Sequence, residues 1–308
     1  MANVIHEAAT ARPGGTPGAR GAVRRRRVGA RWLPYLPVLP FFAYIALFLL
    51  IPTVVLMVGA FQTPAGAWTM DNVGTLFTPQ YEDAYLTSLE VSVATALIGT
   101  VCGFFVAYAA LKDGAPRWVR PLLSTFAGVA ANFAGIPLAF AFVATLGTTG
   151  FITAFLKDRG VDIYQGGFTL YSFFGLVLVY TYFQLPLMIL LISPALGGLR
   201  REWAEAGANL GATSGQFWRW VALPILWPAL LGTLVLLFGN AFAAYATATA
   251  LVGSQINLVP IVIGRFTTGD FTSNPQIANA LSLGMVLIIS LAMVVYGLLQ
   301  RRARRWLR

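Results

Sequence analysis

The chain has 308 residues, of which 57% are hydrophobic and only 10% charged, whereas a soluble domain carries about a quarter charged residues. This composition excludes an ordinary soluble enzyme and points to a polytopic membrane protein. The net charge of +10 is a topology signal rather than a nucleic-acid footprint: eighteen of the 21 Lys and Arg fall in the N-terminal tail, Lys112–Arg120, Arg200–Arg219 and the last eight residues, the segments expected in the cytoplasm.

Residues 1–32, rich in Gly, Ala, Pro and Arg, are expected to form a disordered basic cytoplasmic tail. Arg24–Arg27 and Arg31 then precede an apolar run from Leu36 to Phe61. That run is too long for a signal-peptide core and lacks a clear small-residue cleavage site, so it reads as a retained first membrane helix. Runs long enough to cross roughly 30 Å of hydrocarbon place six spans at about 37–60, 88–111, 120–146, 168–193, 225–251 and 279–299. The connection 62–87 has no Lys or Arg and carries Asp71, Glu82 and Asp83, which puts it outside. The connection 112–119 holds Lys112 and Arg117 and belongs inside. Connection 147–167 is mixed, 194–224 is basic and inside, and 252–278 is outside. Arg301, Arg302, Arg304, Arg305 and Arg308 form a basic inner tail. The fold class expected is an all-α integral membrane protein with six transmembrane helices and cytoplasmic N- and C-termini.

Several chemistries are removed by what is missing. Cys102 is the only cysteine and His6, in the tail, the only histidine. Disulfides within the chain, Cys-based metal sites and a Ser-His-Asp arrangement are therefore excluded. Glu82-Asp83 is the only adjacent acidic pair, so no cluster of acids is expected to hold magnesium. No phosphate-cradling Gly-x-x-x-x-Gly-Lys-Ser/Thr occurs, so the chain cannot supply an ATPase of its own.

Polar groups inside the membrane are costly and mark function or helix contact. Asn132, Gln184 and Asn240 fall near the middles of spans three, four and five, beside Gly135, Pro137, Pro186 and Gly239. Tyr245, Thr247 and Thr249 follow in span five. Asn132, Gln184, Asn240 and Tyr245 are candidates for a translocation pathway; the competing reading is that they bond a neighbouring helix. Glu90, near the outer end of span two, reads as interfacial.

The most polar stretch between spans runs from Arg200 to Pro228. Its first half predicts a short helix on which Ala204, Gly207, Ala208 and Gly211 share one face of small residues. Glu202, Glu205 and Asn209 flank that face. Gly211 suits a helix end, and Pro224 and Pro228 mark where the next helix is expected to begin.

At these residues the sequence resembles the permease subunits of binding-protein-dependent ABC importers. Their cytoplasmic loop reads Glu-Ala-Ala, three residues, Gly, nine residues, Ile, one residue, Leu-Pro. Here Glu205, Ala206 and Gly207 stand first, Gly211 is the spaced glycine, Val221 replaces isoleucine, and Leu223 and Pro224 close the pattern. Gly207 and Val221 depart from the pattern but keep the size class. The resemblance covers residues 33–308 and implies a type I ABC importer transmembrane domain. It implies a coupling loop at about 198–224, with ATPase coupling through Glu202, Ala204, Glu205, Ala206, Gly207, Ala208, Gly211, Leu223 and Pro224. It also implies two ATPase subunits that use ATP and Mg, a second and homologous permease chain, an extracytoplasmic solute-binding protein, and multi-pass insertion in the bacterial cytoplasmic membrane. No cofactor is expected on this chain, and no nucleic acid; anionic lipids are expected partners. The layout looks most like the spermidine/putrescine class, so a polyamine is the expected solute. Iron(III), phosphonate, thiamine or sulfate are the alternatives within the family, and an ATPase-independent secondary carrier is the alternative outside it.

Overall fold

Helix follows helix from end to end of the computed structural model, which describes residues 38–112, 114–267 and 275–305. The tail 1–32, expected to be disordered, lies outside the described residues. Six helices are long and apolar enough to cross a membrane, and no named strand occurs among the described residues. The chain divides into two units at Pro52. The described part of the first is the opening of α1 (Leu39–Gly59), with Pro40 in its first turn, where a missing N–H costs nothing.

Two of the membrane helices carry the same local device. In α1 a π-turn at Ala46–Leu50 precedes Pro52, and Ile51 N–H reaches back to Ala46 O. Later, a π-turn at Trp218–Ala222 precedes Pro224, and Leu223 N–H reaches back to Trp218 O. Proline has no N–H and its ring presses on the carbonyl four residues earlier. A widened turn just before it relieves the clash without ending the helix. The next helix therefore does not begin at Pro224: it runs unbroken over Ser214–Phe242.

The second unit begins with the rest of α1 and a loop held by Asn72, in the short helix α2 (Asp71–Gly74). Asn72 Nδ2 donates to Ala60 O at 3.2 Å and Gln62 O at 2.9 Å. α3 (Pro79–Leu111) starts nine residues earlier than the expected span, so Glu82 and Asp83 sit on its first turns rather than in a loop. Acids are favourable there, against the positive end of the helix dipole. α4 (Val119–Asn132) and α5 (Ile136–Leu146) are two pieces of the third apolar run. The helical segment long and apolar enough to cross a membrane there is Ile136–Lys157, α5 together with α6 (Phe151–Lys157), rather than the expected 120–146. α7 (Phe173–Gly197) is the fourth span, α8 (Arg201–Asn209) the short polar helix and α9 (Ser214–Phe242) the fifth span. α10 (Ala246–Val252), α11 (Val259–Thr267) and α12 (Pro275–Arg305) complete the chain.

α7 is the axis. Its N-terminal half buries Leu176, Val179, Tyr180 and Phe183 against α5 and α10, and its C-terminal half buries Met188, Ile189 and Ile192 against α3 and α9. α3 meets it through a stripe of small residues, Ser92, Ala96, Gly99, Gly103 and Ala107. A Cβ added at Gly99 would stand 2.9 Å from Gln184 Cβ, and one at Gly103 2.7 Å from Met188 Cβ. Helix association in lipid lacks a hydrophobic drive, so such backbone proximity is what stabilises the crossing. The hydroxyls on this stripe satisfy themselves: Ser92 Oγ donates to Ser88 O at 2.6 Å and Thr95 Oγ1 to Val91 O at 2.8 Å. Ser88 Oγ accepts from Val259 N–H at 2.9 Å, tying α11 to α3.

Candidate functional site

The Arg200–Pro228 stretch folds into a helix capped at its C-terminal end, then a second capped start. α8 ends at Asn209 with Leu210 as its C-cap, and Gly211 follows with φ +80°. Gly211 N–H donates to Ala208 O and Ala212 N–H to Gly207 O, both at 2.9 Å. These two crossed bonds are a Schellman cap, which requires the left-handed residue that glycine supplies without a Cβ penalty. Two residues on, Thr213 N–H donates to Gln216 Oε1 at 2.8 Å and Gln216 N–H to Thr213 Oγ1 at 3.4 Å. This capping box opens α9. Arg201 Nε donates to Glu205 Oε1 at 2.9 Å across one exposed turn of α8.

The small residues do not all look the same way. Ala204 and Ala208, with Ala212, line a cavity of about 490 Å³ closed on its far side by the ends of α3 and α7. Gly207 faces the following turn, where an added Cβ would stand 3.9 Å from Ala212 Cβ and Phe217 Cδ2. Glu202, Glu205, Ala206 and Asn209 are exposed and take no part in that cavity. Leu210 is 88% exposed beside them. Sequence reasoning passed over Leu210; its signal was an apolar side chain directly before the capping glycine in an otherwise polar stretch. Leu223 and Pro224 are exposed on α9 beyond the π-turn, a separate element from α8.

Within the membrane-spanning region two helices are broken, and the breaks meet. α4 gives way to α5 at Phe133–Gly135, where Gly135 has φ +73° and caps α5 ahead of Pro137. α9 gives way to α10 at Ala243–Tyr245. Gly135 N–H donates to Thr247 Oγ1 at 2.9 Å, and Tyr180 Oη donates to Ala244 O at 2.8 Å. Freed backbone groups at membrane depth must find partners inside the protein or line a cavity. Asn132 is exposed and donates to Gly128 O of its own helix at 2.8 Å. Asn240 is exposed, and behind it Gln184 is fully buried. Gln184 Nε2 donates to Leu237 O at 2.8 Å, and Asn240 Nδ2 approaches Gln184 Oε1 at 3.5 Å. Tyr245, 40% exposed, covers Gly264, where an added Cβ would stand 2.5 Å from Tyr245 Cε2. The structure thus brings Gln184 and Asn240 together, and places Tyr245 at the break between α9 and α10.

No protein-family model matches the sequence. The chain is 25% identical over 263 residues to the spermidine/putrescine transport system permease protein PotB of Haemophilus influenzae, covering 83% of this chain and 90% of that protein. It is 26% identical over 227 residues to the molybdenum transport system permease protein ModB of Mycobacterium bovis, covering 71% and 79%. Its fold matches a chain of a bacterial ABC transporter that imports the acidic polysaccharide alginate, with a TM-score of 0.69 at 20% identity over 88% of this chain and 96% of the other. A bacterial alginate ABC transporter in complex with an alginate pentasaccharide-bound periplasmic protein matches with a TM-score of 0.67 at 19% identity, over 88% and 94%. The chain is a homologue of ABC transporter permease subunits and has the transmembrane-domain fold of an ABC importer.

Proposed function

We propose that this chain is the permease subunit of an ATP-driven importer, forming half of a solute pathway in the bacterial cytoplasmic membrane. The observation that carries this reading is α8. It is a short, exposed helix between two membrane spans, capped at Gly211, bearing Glu205-Ala206-Gly207 at the spacing of the importer loop. Its exposed residues Glu202, Glu205, Ala206, Asn209 and Leu210 form the surface that meets a separate ATPase. Leu210 supplies the apolar anchor and Glu205 a polar or charged contact at its rim. Gly207, Ala204 and Ala208 seat α8 on its own chain, and Leu223 and Pro224 carry its displacement into α9. ATP and Mg are used by the partner, so this subunit is not itself an enzyme. A second permease chain completes the pathway, and an extracytoplasmic binding protein delivers the solute. Positive-inside sorting places both termini and α8 on the cytoplasmic side.

Asn132, Asn240 and Tyr245 are exposed polar side chains on the helices that break within the membrane, and the pathway runs past them. Gln184 is the buried partner that holds Asn240 from behind. The solute we propose is a polyamine; the likeness to the spermidine/putrescine permease over 83% of the chain supports this reading.

Tagged protein pulled from its native membrane should bring down an ATPase, and Glu205→Lys should lose it while still inserting. A chain that purifies alone and moves solute in liposomes without ATP is a secondary carrier instead. Uptake of labelled spermidine, unaffected by excess molybdate, checks the solute; competition by molybdate alone reverses that assignment.

A further inference from the structure

The cavity behind α8 has a chemical character that the coupling role does not use. One side is apolar, built from Leu196 and Leu199 at the end of α7 and from Tyr108 and Trp218. The two aromatic rings meet edge to face, with centroids 4.9 Å apart, which makes that wall stiff. The other side is cationic. Lys112 and Arg200 line it, and Arg201 joins them while engaged with Glu205. No carboxylate lines it among the described residues. Lys112 caps the C-terminal end of α3, and Arg200, the N-cap of α8, is the first charged residue after α7, so each marks where an apolar span gives way to charge. Tyr and Trp concentrate at that depth because an amphipathic ring suits the headgroup layer. An opening of about 490 Å³ at this level, greasy on one wall and basic on the other, is complementary to the phosphodiester and first acyl carbons of one lipid. Basic pockets at the cytoplasmic ends of spans hold anionic headgroups in this way.

We propose that this cavity is a binding site for an anionic phospholipid, with the phosphodiester held by Lys112 and Arg200 and the glycerol and upper acyl chain against Leu199 and Trp218. The lipid fills the space between Ala204 and Ala208 of α8 and the ends of α3 and α7. Occupancy therefore braces α8 from behind. That consequence rests on the coupling role of α8, whereas the binding itself does not.

The full chain is reconstituted in nanodiscs of mixed phosphatidylglycerol and phosphatidylcholine, and retained lipid is read by native mass spectrometry. Phosphatidylglycerol is expected to stay bound in preference to phosphatidylcholine. The double variant Lys112→Gln/Arg200→Gln should lower that preference by at least about tenfold, since each cation near an anionic headgroup contributes about 1 kcal/mol. Arg120→Gln, whose side chain lines a different cavity, should leave it unchanged. Ser214→Asp is a second probe: an acid in the first turn favours the helix, yet it sets a negative charge on the cavity wall and should expel the lipid. Equal retention of the two lipids, or undiminished retention in the double variant, overturns the site. Displacement of phosphatidylglycerol by millimolar inorganic phosphate would make it a free-anion site and overturn the lipid assignment. Since the readout is bound lipid, a failure here leaves the coupling role of α8 to be decided separately, by the ATPase pull-down with Glu205→Lys.

Discussion

Gly135 and Thr247, 112 positions apart, join the two broken helices by one hydrogen bond, from the Gly135 N–H to Thr247 Oγ1 at 2.9 Å. Gly135, with φ +73°, is the N-cap of α5, two residues after the C-cap of α4 at Phe133, so its N–H has no helical acceptor. Thr247 is buried in the first turn of α10. Each break therefore supplies what the other lacks, and α5 and α10 pack as a pair in the same buried cluster.

Thr247→Val keeps the shape and removes the acceptor. The bond is only part-buried, so its loss should cost toward the lower end of the range for an unpaired buried N–H, about 1–3 kcal/mol. The detergent-solubilised variant should melt lower, and Thr247→Ser should recover most of the loss. Identical melting of the valine variant and the parent would show that water or another group already serves Gly135.

At Gly211 the constraint is backbone conformation, not space: φ is +80° and nothing lies within 4 Å of an added Cβ. A β-branched residue is strongly disfavoured there. Gly211→Val should unwind the last turn of α8 and weaken ATPase capture, with the protein still inserted. Gly211→Asn, which tolerates the left-handed region, should fall between. Normal capture by both variants rules out the Schellman cap as the device that orients α8.

How far the fold could be read from the chain depends on the kind of signal. The long apolar runs announced six membrane helices, since span length is set by hydrocarbon thickness, and Gly211 announced the end of α8. The π-turns did not show. Pro224 reads as a helix start in sequence, because the i→i−5 bond that carries the helix through it has no residue signature. Nor did the partition of the small face. Ala204 and Ala208 share a stripe with Gly207 by spacing alone, and only the positions of α3 and α7 decide which of them border a cavity. Gln184 and Asn240 were legible as costly polar residues, but their pairing joins α7 to α9, and a single sequence carries no record of such contacts.

Asp162 gives a pH signature outside the spans. Its carboxylate accepts from the Gln165 and Tyr164 N–H groups at 3.2 and 3.0 Å and faces Lys157 Nζ at 3.6 Å. The Gln165 bond first, then that from Tyr164 and the Lys157 charge, hold this carboxyl below its usual range. A carboxyl lowered in the folded state contributes its stability above the unfolded value and loses it as pH falls through the folded one. Proteolysis within residues 158–167 should therefore rise as pH drops below about 4. Asp162→Asn keeps the acceptor oxygen but not the charge, and should show a flat profile over that interval. A parallel rise in both would assign the acid sensitivity to another group.

Gln184→Leu separates two readings of the buried amide. Gln184 has no exposed surface and bonds Leu237 O at 2.8 Å, while its contact with Asn240 is long, at 3.5 Å. Leucine fills nearly the same volume and leaves two groups behind: the partly exposed Asn240 amide, and the Leu237 carbonyl, which lies inside α9 and keeps its helical N–H partner four residues on. Replacing a polar side chain by an apolar one of similar shape is nearly neutral where no buried donor is orphaned. The variant should therefore assemble and melt within about 1 kcal/mol of the parent, and its uptake should fall less than that of Asn240→Leu, which removes the exposed amide itself. If Gln184→Leu instead aggregates or loses its partner subunits while Asn240→Leu assembles normally, Gln184 is a packing clamp between α7 and α9, and the polar pair has no part in the solute path.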